Sequence, residues 1–218
     1  MPRVPKPALA LRAALRACYH PWGEVAVGYR AETLERARKV RALILDVDGV
    51  LTDGRLYYSS RGEALKVFHS RDGFAIKLAQ SRGMPVGILS GRGGPVLRRR
   101  LSELEIPPQL IVEQSREKSK GVAILCQRLA LSGEKIAYMG DDIPDLSVLC
   151  QVGLACAPAD APEEVKQVSH FVAAHPGGRG AVRDLVVFLL QAQGIWEEVL
   201  EDWKHGGIVR QKNQRNGV

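Results

Sequence analysis

Four short polar motifs carry the side-chain types that phosphoryl transfer needs, and long stretches of ordinary sequence separate them. Asp46 and Asp48 form the first motif, Ser90 lies in the second, Lys118 is the third, and Asp141 lies in the fourth. A carboxylate attacks phosphorus when a metal ion and a cationic side chain neutralise the phosphoryl oxygens. A hydroxyl and an ammonium group bind those same oxygens. The residue types therefore predict transfer of a phosphoryl group to a carboxylate.

The acidic residues of these motifs also predict a metal site. If Asp46, Asp48 and Asp141 meet in one crevice, with Asp142 and Asp145 beside them, their carboxylates cannot all stay ionised without a cation. The motifs offer oxygen ligands without His or Cys, and such a set favours a hard ion. We therefore expect Mg²⁺ as the cofactor.

The elements that must position these motifs alternate between strand and helix. Residues 42–47 (ALILDV) form a nearly continuous apolar run, which is typical of a strand buried on both faces. The alternation predicts a doubly wound, Rossmann-like parallel sheet with helices on both faces. The motifs then converge on one crevice at the carboxyl edge of the sheet. The other predicted strands are 85–89, 109–112, 135–139, 152–155 and 169–173, and the predicted helices are 31–40, 72–82, 94–105, 117–131, 143–150, 161–167 and 180–192.

One segment, residues 54–68, breaks the alternation. Two short β-like runs flank Ser-Ser-Arg-Gly there, which is a hairpin signal directly after the first strand. We expect three regions in the chain: an N-terminal extension with a lead-in helix at 1–40, an α/β domain at 41–193, and a C-terminal tail of undetermined order at 194–218. A further short helix is predicted within residues 1–20.

Composition and charge exclude several classes of function. The 218 residues are 45% hydrophobic and carry a net charge of +7. Residues 1–41 hold nine Lys/Arg against three Glu, and residues 203–218 hold four Lys/Arg and no acid, so the remaining body is acidic. A nucleic-acid-binding domain carries its basic surface on the folded body, so we expect no nucleic-acid partner. No apolar run is long enough to span a bilayer, and Arg12 and Arg16 interrupt any signal-peptide core, which favours the cytoplasm.

The four motifs also resemble those of a known superfamily. DVDGVLTDG, SGR and GDDIPD, together with Lys118, resemble the motifs of the haloacid dehalogenase superfamily, in the same order and each at its expected strand end. The resemblance implies that Asp46 is the nucleophile and a Mg²⁺ ligand, and that Asp141 completes the metal site. It implies that Asp48 protonates the leaving oxygen, activates the hydrolytic water and binds the metal through its backbone carbonyl. By the same resemblance, Ser90 and Lys118 hold the phosphoryl oxygens.

A narrower resemblance lies around the predicted hairpin. GRLYYSSRGEALKVF leading into HSRDG, with SGR and the later GGRGAVRD, resembles the 3-deoxy-D-manno-octulosonate 8-phosphate phosphatases, a capless, tetrameric family of lipopolysaccharide biosynthesis. Arg92 is expected to bind the sugar-acid carboxylate, because a guanidinium suits a planar bidentate partner. His69 stands where the family pattern has Asn. The implied substrate contacts are Asp48, His69, Ser70, Arg71, Asp72, Gly73, Lys77, Arg92, Arg100 and Lys118.

The spacing between motifs leaves no room for a cap domain. Residues 54–68 offer only a hairpin, and residues 91–117 have room for one helix and one strand. A site without a cap lies open to water, although the transferred group needs shielding. We therefore expect a homo-oligomer whose hairpins and C-terminal segments close the active sites of neighbouring subunits, and the family resemblance implies that this oligomer is a homotetramer.

Two alternative functions remain open at this stage. One is a phosphatase of a related nine-carbon sugar-acid phosphate, and the other is a non-catalytic oligomerisation module related to sugar-nucleotide synthetases.

The roles of several single residues also stay open between two interpretations. Asp53 either shapes a turn or contributes to function, Asp142 is either a helix cap or a partner of the site, and Asp145 is expected to orient Lys118 or its loop. Arg179 stays open as a contact to a neighbouring site.

Overall fold

The computed structural model of the protein describes residues 30–207, and the short helix predicted within residues 1–20 lies outside them. The strands are β1 (Ala42–Leu45), β2 (Tyr57–Ser59), β3 (Gly62–Leu65), β4 (Val86–Leu89), β5 (Ile111–Val112), β6 (Ile136–Met139), β7 (Leu154–Ala157) and β8 (Phe171–Val172). The α-helices are α1 (Ala31–Lys39), α2 (Ser70–Ser81), α3 (Pro95–Glu103), α4 (Lys118–Leu129), α5 (Leu146–Leu149), α6 (Glu163–Val168), α7 (Ala181–Ala192) and α8 (Trp196–Lys204). Short 3-10 turns cover Pro108–Leu110, Gly133–Lys135 and Ile143–Asp145.

Six strands form one parallel sheet in the order β5-β4-β1-β6-β7-β8. The chain order reverses at β1, which pairs with β4 on one side and β6 on the other. In an open α/β sheet, ligands bind beyond the carboxyl ends of the strands at this reversal point. The predicted doubly wound parallel sheet is therefore confirmed, and it places the crevice beside the end of β1.

The sheet is buried because helices cover both of its faces. Along β1, Leu43 and Leu45 pack into one apolar cluster with α1, α2, α3 and α7, whereas Ala42 and Ile44 pack into another with α4, α5 and α6. This period-two alternation is the pleat of a strand with two dry faces. Each fully buried leucine of this kind stabilises the fold by about 2 kcal/mol.

Local chemistry explains where the element boundaries differ from prediction. The single helix predicted at 143–150 is instead a 3-10 turn followed by α5. Pro144 lies in the first turn, and Asp142 caps it by accepting a hydrogen bond from the backbone N–H of Ile143 at 2.7 Å. The cap interpretation of Asp142 is the one that the contacts favour.

The region after residue 193 contains a helix where the sequence predicted a tail of undetermined order. Helix α8 packs through the buried Val199, and Phe74 of α2 meets Trp203 edge-on at 5.1 Å. Arg82 lies 3.1 Å from Glu198 and 2.5 Å from Asp202. The described part of this region therefore packs against α2 through apolar and ionic contacts.

The connections between core strands are short. Between β1 and α2 the chain forms only the β2–β3 hairpin, and between β4 and β5 it forms only α3 and a 3-10 turn. Residues 30–207 thus contain no cap domain, as predicted. Across the same residues, no helix combines the length and the apolar character needed to cross a bilayer.

The loop after β8 supports the loop after β1 through two glycines. The backbone N–H of Gly178 donates to the carbonyl of Val50 at 2.8 Å, and that of Gly177 donates to Oδ1 of Asp160 at 2.9 Å. A Cβ atom on Gly177 would lie only 1.7 Å from the carbonyl oxygen of Gly49. Backbone approach this close requires glycine, and it fixes the loop that carries the first motif.

Gly177→Ala is expected to lower the free energy of unfolding by about 3 kcal/mol, because the added methyl must push two loops apart. As a control, a Cβ on Gly83 meets nothing within 4 Å, so Gly83→Ala costs only the left-handed backbone penalty of about 1 kcal/mol. Denaturant titration measures both values. Equal losses in the two variants would contradict the close packing described here.

Candidate active site

A buried ion-pair cluster joins three motifs at the carboxyl edge of the sheet. Asp46 follows β1 and is 5% exposed. Nζ of Lys118, the first residue of α4, lies 2.6 Å from Oδ2 of Asp46 and 2.5 Å from Oδ1 of Asp145. Burial alone would lower the pKa of Lys118, but the two carboxylates raise it above its ordinary value. The ammonium therefore stays charged beside the candidate nucleophile.

Asp145 has its carboxylate fully engaged by the protein. Oδ1 accepts hydrogen bonds from Lys118 and from the hydroxyl of Tyr138, and Oδ2 accepts from the backbone N–H groups of Asp141 and Asp142 at 3.2 and 3.3 Å. Burial raises the pKa of Tyr138 well above its ordinary value, so its hydroxyl remains a donor. These contacts fit the expectation that Asp145 orients Lys118 and the loop.

The carboxylates of this crevice fit a divalent cation. One oxygen each from Asp46, Asp141 and Asp145 lies within 4.8 Å of the others. Since Asp145 already accepts four hydrogen bonds, Asp46 and Asp141 are the carboxylates best suited to an ion. A Cβ on Gly49 would lie 2.0 Å from Oδ2 of Asp141, so this glycine lets the first loop approach the fourth motif. An oxygen-only set of this kind suits a hard ion.

The raised pKa values of the carboxylates in the crevice also favour a bound cation. Burial, followed by the negative charges of Asp46 and Asp145, raises the pKa of Asp141 to about 8. Burial also raises the pKa of Asp46 to about 6, although Lys118 opposes the shift. Lys118 alone does not neutralise these carboxylates, and a bound cation would complete the balance.

Asp48 is held by a lysine that the sequence analysis did not identify. Nζ of Lys66 lies 2.5 Å from Oδ1 of Asp48 and 2.9 Å from Oε1 of Glu63. Burial would lower the pKa of Lys66, but the ammonium donates hydrogen bonds to the two carboxylates, which outweigh burial and raise the pKa. The signal in the sequence is LKV at 65–67, where a lysine directly after β3 stands between two apolar residues.

The second motif lies next to the first. Ser90 is buried, and its Oγ accepts a hydrogen bond from the backbone N–H of Arg92 at 3.1 Å. Nε of Arg92 lies 4.0 Å from Oδ2 of Asp48, and one of its terminal nitrogens donates to the hydroxyl of Tyr58 at 2.9 Å. Arg92 therefore stands between the acidic motif and the hairpin.

The remaining predicted substrate contacts form a group on α2, on the residue before it and on α3. Asp72 is buried there and accepts hydrogen bonds from the backbone N–H groups of Gly180 and Arg183 at 3.1 and 2.9 Å, so it caps α7. His69 lies 3.8 Å from Asp72. No hydrogen bond or ion pair within residues 30–207 joins this group to Asp46, Asp48 or Lys118. Elsewhere in the group, Gly73 packs on Arg100, Lys77 pairs with Glu105 at 2.9 Å, and Ser70 and Arg71 are exposed.

Comparison with known proteins places this geometry in a family. The family model for haloacid dehalogenase-like hydrolases matches residues 109–182. The 3-deoxy-D-manno-octulosonate 8-phosphate phosphatase of Haemophilus influenzae is 42% identical over 161 residues, which cover 73% of this chain and 88% of that protein. The chain belongs to this phosphatase family. It is therefore a phosphomonoester hydrolase.

Two further members of the family extend the similarity. The Escherichia coli K12 phosphatase of the same name is 38% identical over 186 residues, covering 85% of this chain and 94% of that one. The crystal structure of the Moraxella catarrhalis family phosphatase, in complex with magnesium ion, phosphate ion and KDO, is similar with a TM-score of 0.76 and 28% identity. The match covers 80% of this chain and 99% of that one. The fold is thus shared with a protein whose structure contains these ligands.

The raised carboxylate pKa values predict how pH and divalent cations affect stability. Without a metal, folded Asp46 and Asp141 bind more protons than the unfolded chain between about pH 4 and 8, so their contribution to stability falls as pH rises there. At pH 8, Mg²⁺ at a hundredfold excess over its Kd is expected to raise Tm by roughly 5–10 °C. At pH 6 the gain is expected to be smaller, because protons compete with the ion.

Variants of adjacent aspartates provide the test and its control. Asp141→Asn should lose most of this Mg²⁺ response in thermal unfolding. Asp142→Asn should keep it, because Asn also caps a helix and Asp142 takes no part in the carboxylate cluster. A full response in Asp141→Asn would show that the ion binds elsewhere.

Proposed function

We propose that the protein hydrolyses 3-deoxy-D-manno-octulosonate 8-phosphate to the free sugar acid and phosphate, through an aspartyl-phosphate on Asp46 and with Mg²⁺ as cofactor. The observation that carries the proposal is the buried contact between Asp46 and the Lys118 ammonium, 2.6 Å apart, at the reversal point of the sheet. A carboxylate beside a fixed cation is poised to attack a dianionic phosphoryl group. The identities to named family phosphatases support the choice of substrate.

Each group in the site has a defined task in the proposed reaction. A carboxylate oxygen of Asp46 bonds to phosphorus while the bond from phosphorus to the sugar oxygen breaks, and Asp48 gives that oxygen its proton. Asp48 then takes a proton from the water that attacks the phospho-enzyme and releases phosphate. Lys118 and Ser90 bind the phosphoryl oxygens throughout. Mg²⁺, held by Asp46, Asp141 and the backbone carbonyl of Asp48, would neutralise phosphoryl charge.

Arg92 is the side chain proposed to recognise the sugar acid. It is about half exposed, and its contacts to Tyr58 and Asp48 direct the guanidinium toward the crevice. A guanidinium binds a carboxylate with two parallel hydrogen bonds, so Arg92 favours a sugar-acid substrate over a non-catalytic role for the domain. A panel of sugar-acid phosphates distinguishes the eight-carbon substrate from the nine-carbon one.

A homotetramer is proposed as the active form, with neighbouring subunits completing each site. The hairpin and the residues that flank it expose large apolar side chains, which favours burial against another protein surface. The exposed apolar residues are Leu56, Tyr57, Tyr58, Leu65 and Val67.

The cytoplasm is the proposed location, as for an enzyme acting on a soluble sugar phosphate.

The covalent mechanism is tested by Asp46→Asn. A carboxamide is a poor nucleophile, so turnover of the sugar-acid phosphate is expected to fall at least about 1000-fold. Acid quenching with radiolabelled substrate should trap a phospho-enzyme in the wild type and none in the variant. Normal turnover in a folded Asp46→Asn protein would refute the aspartyl-phosphate.

The substrate proposal is tested by comparing eight- and nine-carbon sugar-acid phosphates. Arg92→Ala is expected to lower kcat/KM for the eight-carbon phosphate by about 30-fold, since a bidentate charged contact is lost. Arg99→Ala is the matched control, because that guanidinium is 82% exposed and pairs with Glu103 on its own helix. A wild type that prefers the nine-carbon phosphate would overturn the substrate assignment and leave the chemistry in place.

A further inference from the structure

Lys66, the residue directly after β3, is buried between two exposed apolar residues. Its side chain is 1% exposed, whereas the neighbouring Leu65 and Val67 are 50% and 51% exposed. The apolar residues therefore face outward and the charge faces inward, the reverse of an ordinary surface hairpin. Burying an ammonium is costly unless it is paired, so its partners decide whether this arrangement is stable.

Lys66 has two carboxylate partners, one in the loop after β1 and one in β3 of the hairpin. Oδ1 of Asp48 lies 2.5 Å from the ammonium, and Oε1 of Glu63 lies 2.9 Å from it. The other oxygen of Asp48 faces Arg92 at 4.0 Å. One oxygen of Asp48 is thus held by the hairpin, and the second is left on the side of the crevice where Arg92 stands.

We propose that Lys66 is a positioning residue, which fixes the Asp48 carboxylate in the orientation needed to protonate the leaving oxygen. The inference rests on the proposed role of Asp48 and adds the element that sets its geometry. Proton transfer requires the carboxyl group within hydrogen-bond reach of the leaving oxygen, so a carboxylate free to rotate is a poorer acid. Glu63 anchors the ammonium from the other side and ties it to β3.

The test compares two phosphate esters that differ in how much the leaving group needs a proton. An alkyl ester such as the sugar-acid phosphate leaves as a basic alkoxide and requires the acid, whereas p-nitrophenyl phosphate leaves as a stable phenolate. The ratio kcat/KM reports the steps up to loss of the leaving group, so it isolates the step in which Asp48 acts as an acid.

Lys66→Met keeps the length of the side chain and removes the charge. It is expected to lower kcat/KM by about 30-fold for the alkyl ester and by only about 3-fold for the aryl ester, since general-acid catalysis contributes roughly 100-fold or more. Lys120→Met is the matched control, because Lys120 is 74% exposed and pairs with Glu117 on the outside of α4. The control should leave both values unchanged.

A second variant tests the proposal if Lys66→Met fails to fold. Lys66→Met/Glu63→Gln removes one charge of each sign from the hairpin, and the same selective loss is expected in a protein that melts near the wild-type Tm. Equal losses for the two esters in a folded variant would overturn the proposal, as would unchanged kcat/KM for both. If the wild type prefers a different alkyl phosphate, the substrate proposal fails, and the ratio measured with that ester still decides the role of Lys66.

Discussion

The Lys118 ammonium, shared between Asp46 and Asp145, is the interaction on which the site depends. It joins the end of β1, the start of α4 and the loop after β6, which are far apart in sequence and adjacent at the reversal point of the sheet. Removing one partner of such a buried pair leaves an uncompensated charge and typically costs about 3–5 kcal/mol. The same contacts that organise the carboxylates therefore also contribute to holding these elements together.

An arrangement of this kind is electrostatically incomplete by itself. Asp141 lies in the same buried space, and its raised pKa reflects burial and the two neighbouring carboxylates. A substrate phosphoryl group would add further negative charge to this space. A divalent ion beside the fixed ammonium would resolve that conflict, and this gives a physical reason for acidic residues at a site that receives a phosphoryl group.

Much of the fold could be predicted from the sequence, because buried parallel strands read as apolar runs and each polar motif follows one of them. The ALIL run of β1, the placement of Asp46 and Ser90 at strand ends and that of Lys118 at the start of a helix follow directly from that pattern. The 3-10 turn at Ile143 was not predicted, since Pro144 and the Asp142 cap changed its start locally. Helix α8 was missed because its contacts with α2 are tertiary.

Lys66 could not be assigned from the sequence for a different physical reason. Pattern analysis assumes that apolar residues face inward and charges face outward, and the hairpin reverses both. The buried position of Asp72 is a related case, because its carboxylate caps α7 through backbone groups more than a hundred residues away. Only the folded chain brings such partners together.

The β2–β3 hairpin forms its own two-stranded sheet and shares no ladder with the six core strands. Its residues can therefore be exchanged during evolution without altering the register of the core or the placement of the nucleophile. Substitutions at its tip would leave the core strands in place, while the ion pair between Lys66 and Asp48 fixes its base. The architecture thus separates the part of the protein that diversifies from the part that must stay constant.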